Sequence, residues 1–427
     1  MIGISVGVSP GNGGADGYEW SASSLLLPAG FTFTRSGTAQ GFYGSAYASA
    51  VYSSKATDTP RFDRLSSERV GLLVEGARTN LALQSATFGD ATWGALRVTV
   101  NSNATTGLDG ATTADVMVED TSVTTTHRIA QAVTLAANTT SCFSVWCKRV
   151  VGTRNVQLTV AAGADQYNAY FDLGTPGTTT AVTGTGTVSG SGMIAYPNGW
   201  YRCWIAGIHS TATANPTIYI NSASGTSQSY TGDGASSLGL WGAQLEAAAF
   251  PSSYIPTTSA SVTRNAETCS RSVTLPSGGF TAIWDVFSPP GVAPSTAYYL
   301  GELSIDANNR CVVYIEGNNS KFTLFYSTGG VTQASYGFTT ASTLSARHRV
   351  AIRVQNNNMG LSVDGGTTVL DTSTPNGIWS GAANEYLGQN RTGGEQFFGN
   401  ILASNASPTV WRPPVTDAEL QALSTLT

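Results

Sequence analysis

The chain has 427 residues with a formal net charge of −5, and only 11% of them are charged, against about 25% in an ordinary soluble protein. No run of Lys and Arg occurs, which excludes an electrostatic nucleic-acid interface, and a hydrophobic content of 41% excludes a disordered composition. Glycine, serine, threonine and aromatic residues are abundant, which predicts short strands joined by tight turns rather than helices.

Residues 1–79 are irregular in pattern. Their start, MIGISVGVSPGNGG, lacks the charged and apolar segments of a signal peptide, and the run LLLPAGF is too short to span a bilayer. We therefore expect no signal peptide and no membrane insertion. GFYGSAYASAVYSS and GLLVEGARTN carry aromatic and aliphatic groups but too little patterned surface to close a core. We expect residues 1–79 to bury these groups against a neighbour, as an attachment or oligomerisation region.

Residues 80–264 alternate with the period of two that is typical of strands, and Gly, Asn and Pro separate the runs. In HRIAQAVTL, for example, Ile129 and Val133 share a face with His127 and Gln131. We predict a β-sandwich from the segments HRIAQAVTL, CFSVWCKRV, NVQLTV, NAYFDL, WYRCWIAGI, PTIYINSA and LGLWGAQLE.

Residues 265–427 repeat this pattern and predict a second β-sandwich, with a boundary at about residues 250–270 where prolines punctuate the chain. HRVAIRVQNNNMGLSVDGG reads as a hairpin that places Val350, Ile352 and Leu361 on one face. Near the end, Thr416 and Glu419 form the capping box of a short helix. The predicted fold class is therefore all-β: two sandwiches after an irregular N-terminal region, with one short C-terminal helix.

The cysteines and carboxylates indicate no catalytic chemistry. The five cysteines, an odd and sparsely spaced set, are expected to be buried free thiols, with Cys142 and Cys147 on opposite faces of one strand. G-x-S-x-G, H-E-x-x-H, C-x-x-C and Walker motifs are absent from the sequence. A glycosidase needs two carboxylates across a cleft, and no spacing singles out the pairs that can be drawn, Glu302 with Asp306 or Asp285 with Glu316. We expect a protein that is not an enzyme.

Several motifs in fixed order resemble a domain of bacteriophage and prophage virion surface proteins. They are RVGLLVEGARTNLALQSATFGDATW, GATTADVMVEDTSVTTTHRIAQAV, FSVWCKR, NGWYRCWI and YTGDGASSLGLWGAQLEAAAFPSSYIPTTSASVTRNAE. The family is a jelly-roll of the carbohydrate-binding-module type, and the resemblance covers about residues 57–267. The last third is similar, more loosely, to laminin-G or concanavalin-like sandwiches through HRVAIRVQNNNMGLSVDGG, LGQN, FFGNI and VTDAEL.

The resemblance implies a non-enzymatic tail fibre, receptor-binding tip or head spike. Such a protein would be made in the host cytoplasm, lie on the virion surface and attach to a host-surface glycan. Other virion proteins would bind residues 1–79, and the protein would be a homo-oligomer, a trimer by analogy with tail fibres. Two alternatives stay open: a capsid or tail decoration protein that cements the particle without a glycan ligand, and a polysaccharide depolymerase.

The segment LGLWGAQLE would be the final, centrally paired strand of the jelly-roll. Alternation predicts Trp241, Ala243 and Leu245 in the core, with Leu240 and Glu246 on the opposite face. A proline-containing extended connector, PSSYIPTTSASVTR, follows it.

Glu246 has three readings: a solvated edge carboxylate, an ion-pair partner of Arg78 or Arg264, or a ligand of a structural Ca²⁺. The last is implied only by the resemblance, because jelly-roll binding modules often carry such an ion, and no other cofactor is expected. Asp233, between two glycines, reads as a turn residue.

Glycan binding without catalysis uses aromatic platforms and polar groups on loops. Tryptophans inside predicted strands are assigned to the core: Trp146, Trp204, Trp241 and Trp284. For the loop aromatics, packing in a core is the competing interpretation. The candidate glycan-binding residues in loop-like surroundings are Trp93, Tyr167, Trp379, Asn390, Arg391 and Trp411.

Overall fold

A computed structural model describes residue 27 and residues 30–44, 46–64, 70–162, 165–183, 186–222, 227–287, 297–316, 321–337, 346–372, 377–392, 400–402 and 413–426. In these residues the fold is all-β with one short C-terminal helix, which confirms the predicted fold class. No helix of the described residues is long and apolar enough to cross a membrane.

The first strands are β1 (Thr32–Thr34), β2 (Ala39–Tyr43), β3 (Val51–Lys55), β4 (Arg61–Arg64), β5 (Val70–Leu73) and β6 (Arg78–Asn80). Those that follow are β7 (Gly94–Leu96), β8 (Val98–Thr105), β9 (Ala114–Glu119), β10 (His127–Ala130), β11 (Val133–Thr134), β12 (Thr140–Val151), β13 (Asn155–Ala162), β14 (Asp165–Asp172), β15 (Gly177–Thr183), β16 (Thr187–Ala195), β17 (Tyr201–Ile208), β18 (Thr213–Asn221), β19 (Ser237–Glu246) and β20 (Val262–Arg264). The last are β21 (Thr268–Leu275), β22 (Phe280–Phe287), β23 (Ala297–Ser304), β24 (Arg310–Glu316), β25 (Phe322–Thr328), β26 (Val331–Gly337), β27 (Arg347–Val354), β28 (Met359–Val363), β29 (Val369–Asp371), β30 (Gly381–Leu387), β31 (Asn400–Leu402) and the helix α1 (Asp417–Ser424).

The first sandwich packs two antiparallel sheets face to face. The front sheet has the order β15-β14-β13-β18-β10-β7, with β11 also paired to β18, and the back sheet has the order β16-β17-β12-β19-β9-β8. Alternate residues of both sheets form one apolar core, which includes Ile129, Leu158, Phe171 and Leu245. The alternation predicted for HRIAQAVTL is confirmed, since His127 and Gln131 are buried with Ile129 while Arg128 is partly exposed.

The second sandwich takes strands from both ends of the chain. One sheet has the order β1-β21-β30-β23-β24-β25-β26, and the other has the order β29-β28-β27-β22-β31-β5-β4. The predicted hairpin is present as β27 and β28, with Val350 opposite Val363 and Ile352 opposite Leu361. The helix α1 begins with the predicted capping box of Thr416 and packs on β27 and β28.

The expectation that residues 1–79 need a partner chain to bury their apolar groups is wrong for the described part of that region. Strand β1 pairs with β21, and β5 pairs with β31. Phe33, Phe62 and Leu72 lie in the core of the second sandwich. These segments lack a pattern of their own because each completes a sheet that the last third of the chain begins. Residues 1–26 lie outside the described residues.

The hairpin of β2 and β3 covers the outer face of the back sheet. Phe42 and Tyr52 from the hairpin pack with Trp146, Trp241 and Tyr254 in a buried aromatic cluster. The Tyr52 ring centroid lies 5.3 Å from that of Trp146 and 5.7 Å from that of Trp241. The segment GFYGSAYASAVYSS therefore serves as an internal cover that buries Phe42 and Tyr52, while Tyr43 and Tyr47 stay partly exposed.

A bulge in β19 corrects the predicted facing of its residues. Ser144 lies opposite Gln244 and Trp146 opposite Trp241, so β19 carries one extra residue there, and Gly242 has a φ of 65°. This extra residue shifts the alternation. Leu240 and Ala243 therefore both face the sandwich core, while Trp241 faces the aromatic cluster. The central position of β19, between β12 and β9, is as predicted.

Candidate functional site

The outer face of the front sheet is made mostly of uncharged polar side chains. Strands β13, β14 and β18 direct Leu158, Ala169 and Ile218 into the core, so the alternate residues face outward. At one end of β14 this outward set includes the carboxylate of Asp172, which pairs with Arg149. We call the uncharged polar members of the set the amide face: Asn155, Gln157, Thr159, Gln166, Asn168, Tyr170, Asn215, Thr217, Tyr219 and Asn221. Amides, hydroxyls and phenols both donate and accept hydrogen bonds.

Strand pairing aligns part of the amide face into a row across four strands. Gln157 lies opposite Tyr170 on one side and opposite Tyr219 on the other. Arg128 of β10 lies opposite Tyr219 and ends the row. Because neighbouring strands are about 4.8 Å apart, the two tyrosines flank Gln157 at a separation of about 10 Å between their strands.

Hydrogen bonds between neighbouring side chains order the amide face. Gln157 Nε2 donates to Thr159 Oγ1 at 3.1 Å, and Thr159 Oγ1 donates to Asn168 Oδ1 at 3.0 Å. Gln166 Nε2 donates to the same Asn168 oxygen at 2.6 Å. A network of this kind holds its side chains in fixed positions before a ligand arrives, which lowers the entropy cost of binding.

Asn221 is the least satisfied member of the amide face. Its Nδ2 donates to Gln157 Oε1 at 3.2 Å and also to the Tyr170 hydroxyl. Its Oδ1 is buried and has no hydrogen-bond partner. An unsatisfied buried acceptor costs about 1–3 kcal/mol, and Asn221 is 0% exposed, so this oxygen is not accessible from the surface.

The tyrosines of the amide face remain protonated at neutral pH. Burial raises the pKa of Tyr170 to about 12, although its hydrogen bond with Asn221 opposes this. Burial also raises the pKa of Tyr219, while the charge of Arg128 lowers it. Both rings are partly exposed, whereas Gln157 and Thr159 are only 3% and 1% exposed. The face therefore presents two phenol rings around a nearly buried polar floor.

Most amide-face side chains are buried, and Gln166, Tyr170, Asn215 and Tyr219 are partly exposed. Within the described residues, no strand or helix outside the first sandwich packs extensively on β13, β14 or β18. The back sheet differs, since Cys142 and Trp204 on its outer face pack into the core of the second sandwich. Planar polar groups beside partly exposed aromatic rings suit a ligand with many hydroxyls and apolar C–H faces, which describes a sugar.

The aromatic residues predicted to bind glycans are buried, so that prediction is wrong for the three that the structure describes. Trp93 is 2% exposed and packs on Phe88, and Tyr167 is fully buried with its hydroxyl 2.6 Å from Ser141 Oγ. Trp379 is 8% exposed and stacks on Tyr326 at 5.6 Å. Each lies next to loop-like sequence, but hydrophobic burial decides its position.

The polar candidates lie in the second sandwich, away from the amide face. Asn390 is 8% exposed, and its Oδ1 accepts hydrogen bonds from Thr392. Arg391 is exposed, and its backbone N–H donates to Glu302 Oε2 at 3.2 Å. Trp411 lies outside the described residues. The structure therefore does not bring the described candidates together into one site.

The structure also revises the readings of Glu246. The carboxylate is buried rather than solvated, and it accepts hydrogen bonds from the backbone N–H of Ser252 at 3.0 Å and from the Ser252 hydroxyl. Its charge acts on Arg264, whose pKa burial lowers and the neighbouring carboxylates raise. In the described residues, no group of three or more His, Cys, Asp or Glu side chains could hold a metal ion.

Three smaller predictions are confirmed. Asp233 is a turn residue that accepts hydrogen bonds from the N–H groups of Ala235 and Ser236. The tryptophans assigned to the core are at most 4% exposed, and all five cysteines are buried free thiols. Cys142 and Cys147 face different cores, as their parity predicts.

The four carboxylates considered for glycoside hydrolysis have partners of other kinds. Arg310 donates to both Glu302 oxygens, and Arg347 donates to both Asp285 oxygens. Asp306 accepts hydrogen bonds from Asn308 and Asn309 within its own turn, and Glu316 accepts one from the Thr323 hydroxyl.

Comparison with known proteins identifies no family. No family model and no curated protein matches the chain. Among solved structures, it is similar to the SAP-like pentraxin from Limulus polyphemus, with 12% identity over 35% of this chain and 72% of that chain, and a TM-score of 0.26. Mouse laminin alpha1 domains LG4-5 show 12% identity over 78% of this chain and 91% of that chain, with a TM-score of 0.21. Tail fiber protein gp63.1 from E. coli phage G7C shows 10% identity over 74% of this chain and 40% of that chain, with a TM-score of 0.18. At TM-scores this low, none of these likenesses assigns a family or a function to the chain.

Proposed function

We propose that this protein is a non-enzymatic surface protein that binds a host-surface glycan through the amide face. The observation that carries the proposal is an outer sheet face of ordered amides and hydroxyls on which Gln166, Tyr170, Asn215 and Tyr219 are partly exposed. The partly exposed amides and phenols can donate and accept hydrogen bonds with sugar hydroxyls, and the buried polar layer beneath them holds them in place.

The setting that we propose is the surface of a bacteriophage virion, on a tail fibre, receptor-binding tip or head spike. The resemblance of residues 57–267 to jelly-roll domains of such proteins supports this setting. Attachment to other virion proteins and assembly as a homo-oligomer, as a trimer, belong to the same proposal. Phe33, Phe42, Tyr52, Phe62 and Leu72 give these two points no support, because the same chain buries them.

The test compares two amide-to-alanine variants. Gln157→Ala removes the centre of the amide-face row, and Asn384→Ala removes an exposed amide on the second sandwich. Both proteins are applied to an array of bacterial surface glycans and to host cells. We expect Gln157→Ala to weaken glycan binding about tenfold or more, because it loses hydrogen bonds at the centre of the site. Asn384→Ala should bind like the parent protein.

Other outcomes would favour the alternatives. A protein that binds no glycan but stabilises the particle against heat or chelators would be a cement protein. Progressive shortening of a polysaccharide during incubation, lost when a carboxylate is replaced, would identify a depolymerase. Equal binding by both alanine variants would remove the amide face from the site.

A further inference from the structure

The amide face ends on a cation that lacks an ionic partner. Among the described residues, no carboxylate forms an ion pair with Arg128, whereas Arg149 pairs with Asp172 and Arg154 with Glu119. Arg128 is partly exposed and lies directly opposite Tyr219 in the strand register. At the other end of the face, Arg149 donates to Asn155 Oδ1 at 2.6 Å, so that guanidinium is already engaged.

The second unsatisfied group of the face lies close to this cation. Asn221, with its unpartnered Oδ1, follows Tyr219 by two residues on the same side of β18. Arg128 and Asn221 are therefore diagonal neighbours on adjacent strands, with Cα atoms about 7–8 Å apart. The groups of this end of the face that a ligand can reach are therefore the Arg128 guanidinium and the Tyr219 ring beside it, both partly exposed.

We infer that the glycan is acidic and that Arg128 binds its carboxylate. This inference rests on the proposed function, since it names the ligand class of the amide face. A guanidinium binds a planar carboxylate through two parallel N–H···O bonds, which gives both affinity and orientation. The sugar ring then lies along the partly exposed Tyr219 ring. A neutral glycan would leave the Arg128 charge desolvated without compensation.

The experiment uses an array in which each acidic bacterial surface glycan stands beside its carboxyl-reduced form, which keeps the chain but loses the charge. Arg128→Gln is compared with Lys321→Gln, which removes the same charge from the second sandwich, where Lys321 pairs with Glu316 at 3.6 Å. We expect the parent protein to prefer an acidic glycan over its reduced form by about tenfold or more. Arg128→Gln should lose this preference and keep its binding to reduced glycans, while Lys321→Gln should keep both.

The outcomes separate this inference from the proposed function. If the parent protein binds acidic and reduced glycans equally, and Gln157→Ala abolishes this binding, the carboxylate inference is overturned and the glycan proposal stands. Absence of binding to any glycan would overturn both. Binding confined to sulfated glycans, unaffected by carboxyl reduction, would also overturn the inference, because it assigns a carboxylate to Arg128. An unchanged thermal unfolding temperature of Arg128→Gln, relative to the parent protein, would show that its loss of glycan binding is not due to misfolding.

Discussion

The two outer faces of the first sandwich differ in what they contact and in which residues they use. The back sheet is covered by aromatic residues of the β2–β3 hairpin, whereas on the front sheet Tyr170 and Tyr219 stay partly exposed beside buried polar side chains. Aromatic side chains in this protein therefore hold its parts together, because they bury large apolar areas. The polar face, which contributes less to stability, is the one free to bind.

A buried charge network strengthens the covered side. Arg61 donates to Glu267 Oε1 at 2.6 Å and to Glu75 Oε2 at 2.8 Å, and Arg35 donates to Glu267 Oε1 at 2.8 Å. Arg264 lies 3.0 Å from Glu75, and all of these side chains are at most 3% exposed. The network joins the segment before β6 to β20 and to the start of the second sandwich.

Removing one member of this network should give the largest loss of stability. Arg61→Met leaves Glu267 and Glu75 without their shared cation, and breaking a buried pair in this way costs about 3–5 kcal/mol. Lys321→Met, at a half-exposed pair, should cost about 0–1 kcal/mol. Chemical denaturation of both variants measures the difference. Similar losses in the two variants would mean that the network does not hold the covered side together.

Protonation of Glu75 at acidic pH should lower the free energy of unfolding of the protein. Burial alone would raise the pKa of Glu75, but Arg264 and Arg61 lower it to about 2. In the unfolded chain, Glu75 binds a proton at a higher pH than in the folded protein. The contribution of ionised Glu75 to the free energy of unfolding is therefore fully present above the ordinary glutamate pKa, and it is lost as pH falls from about 4.5 to 2. The loss is on the order of 3 kcal/mol. Denaturant titrations at several pH values measure it, and Glu75→Gln should flatten the curve in this window.

Asp63 gives the opposite pH dependence at higher pH. Burial raises its pKa to about 7, so the folded protein holds a proton that the unfolded chain releases near the ordinary aspartate pKa. Its contribution to stability is therefore greatest at low pH and is lost as pH rises to about 7. In the same titrations, Asp63→Asn should remove this decline and leave the acid limb due to Glu75 unchanged. A decline near neutral pH that persists in the variant would contradict the assignment.

The bulge that turns Trp241 toward the aromatic cluster should come next in effect. A Cβ on Gly242 would lie 2.8 Å from Trp146 Cε3, and the φ of Gly242 is 65°. Gly242→Ala should cost about 2–4 kcal/mol through overpacking and backbone strain. Gly199, with a φ of 75°, has open space around it, so Gly199→Ala should cost only about 1–2 kcal/mol. Thermal unfolding compares the two, and equal costs would show that the contact with Trp146 is unimportant.

The smallest effect on stability is expected on the amide face. Gln157→Ala loses hydrogen bonds to Thr159 and from Asn221, each worth about 1 kcal/mol. The variant should therefore stay well folded while its glycan binding falls. A loss as large as that of Arg61→Met would make the amide face a structural element like the covered side.

Local pattern was sufficient to predict much of the fold but little of the site. The amide face carried a signal in NVQLTVAA, DQYNAYFD and TANPTIYIN, where apolar residues alternate with amides, hydroxyls and tyrosines instead of Lys or Glu. Aromatic residues in loop-like sequence were a poor guide to the site, because Trp93 and Tyr167 have polar and glycine-rich neighbours in the sequence but are buried in the structure. The exposure of a side chain depends on which residues pack over it in the fold, and its neighbours in the sequence do not determine this.

The sequence by itself determined many of the strands, the β27–β28 hairpin and the cap of α1, because alternation, turn residues and capping are local. It did not predict β8, β9, β15 and β16. Only the tertiary structure decided that β1 and β5 complete sheets of the second sandwich, that a bulge reverses the facing of Trp241, and that Arg61 meets Glu267 in a buried network. These features join residues up to 331 positions apart in the chain, since Leu402 pairs with Gly71. Pairing over such separations depends on the complementarity of whole sheets and on the burial that it allows, which no local pattern encodes.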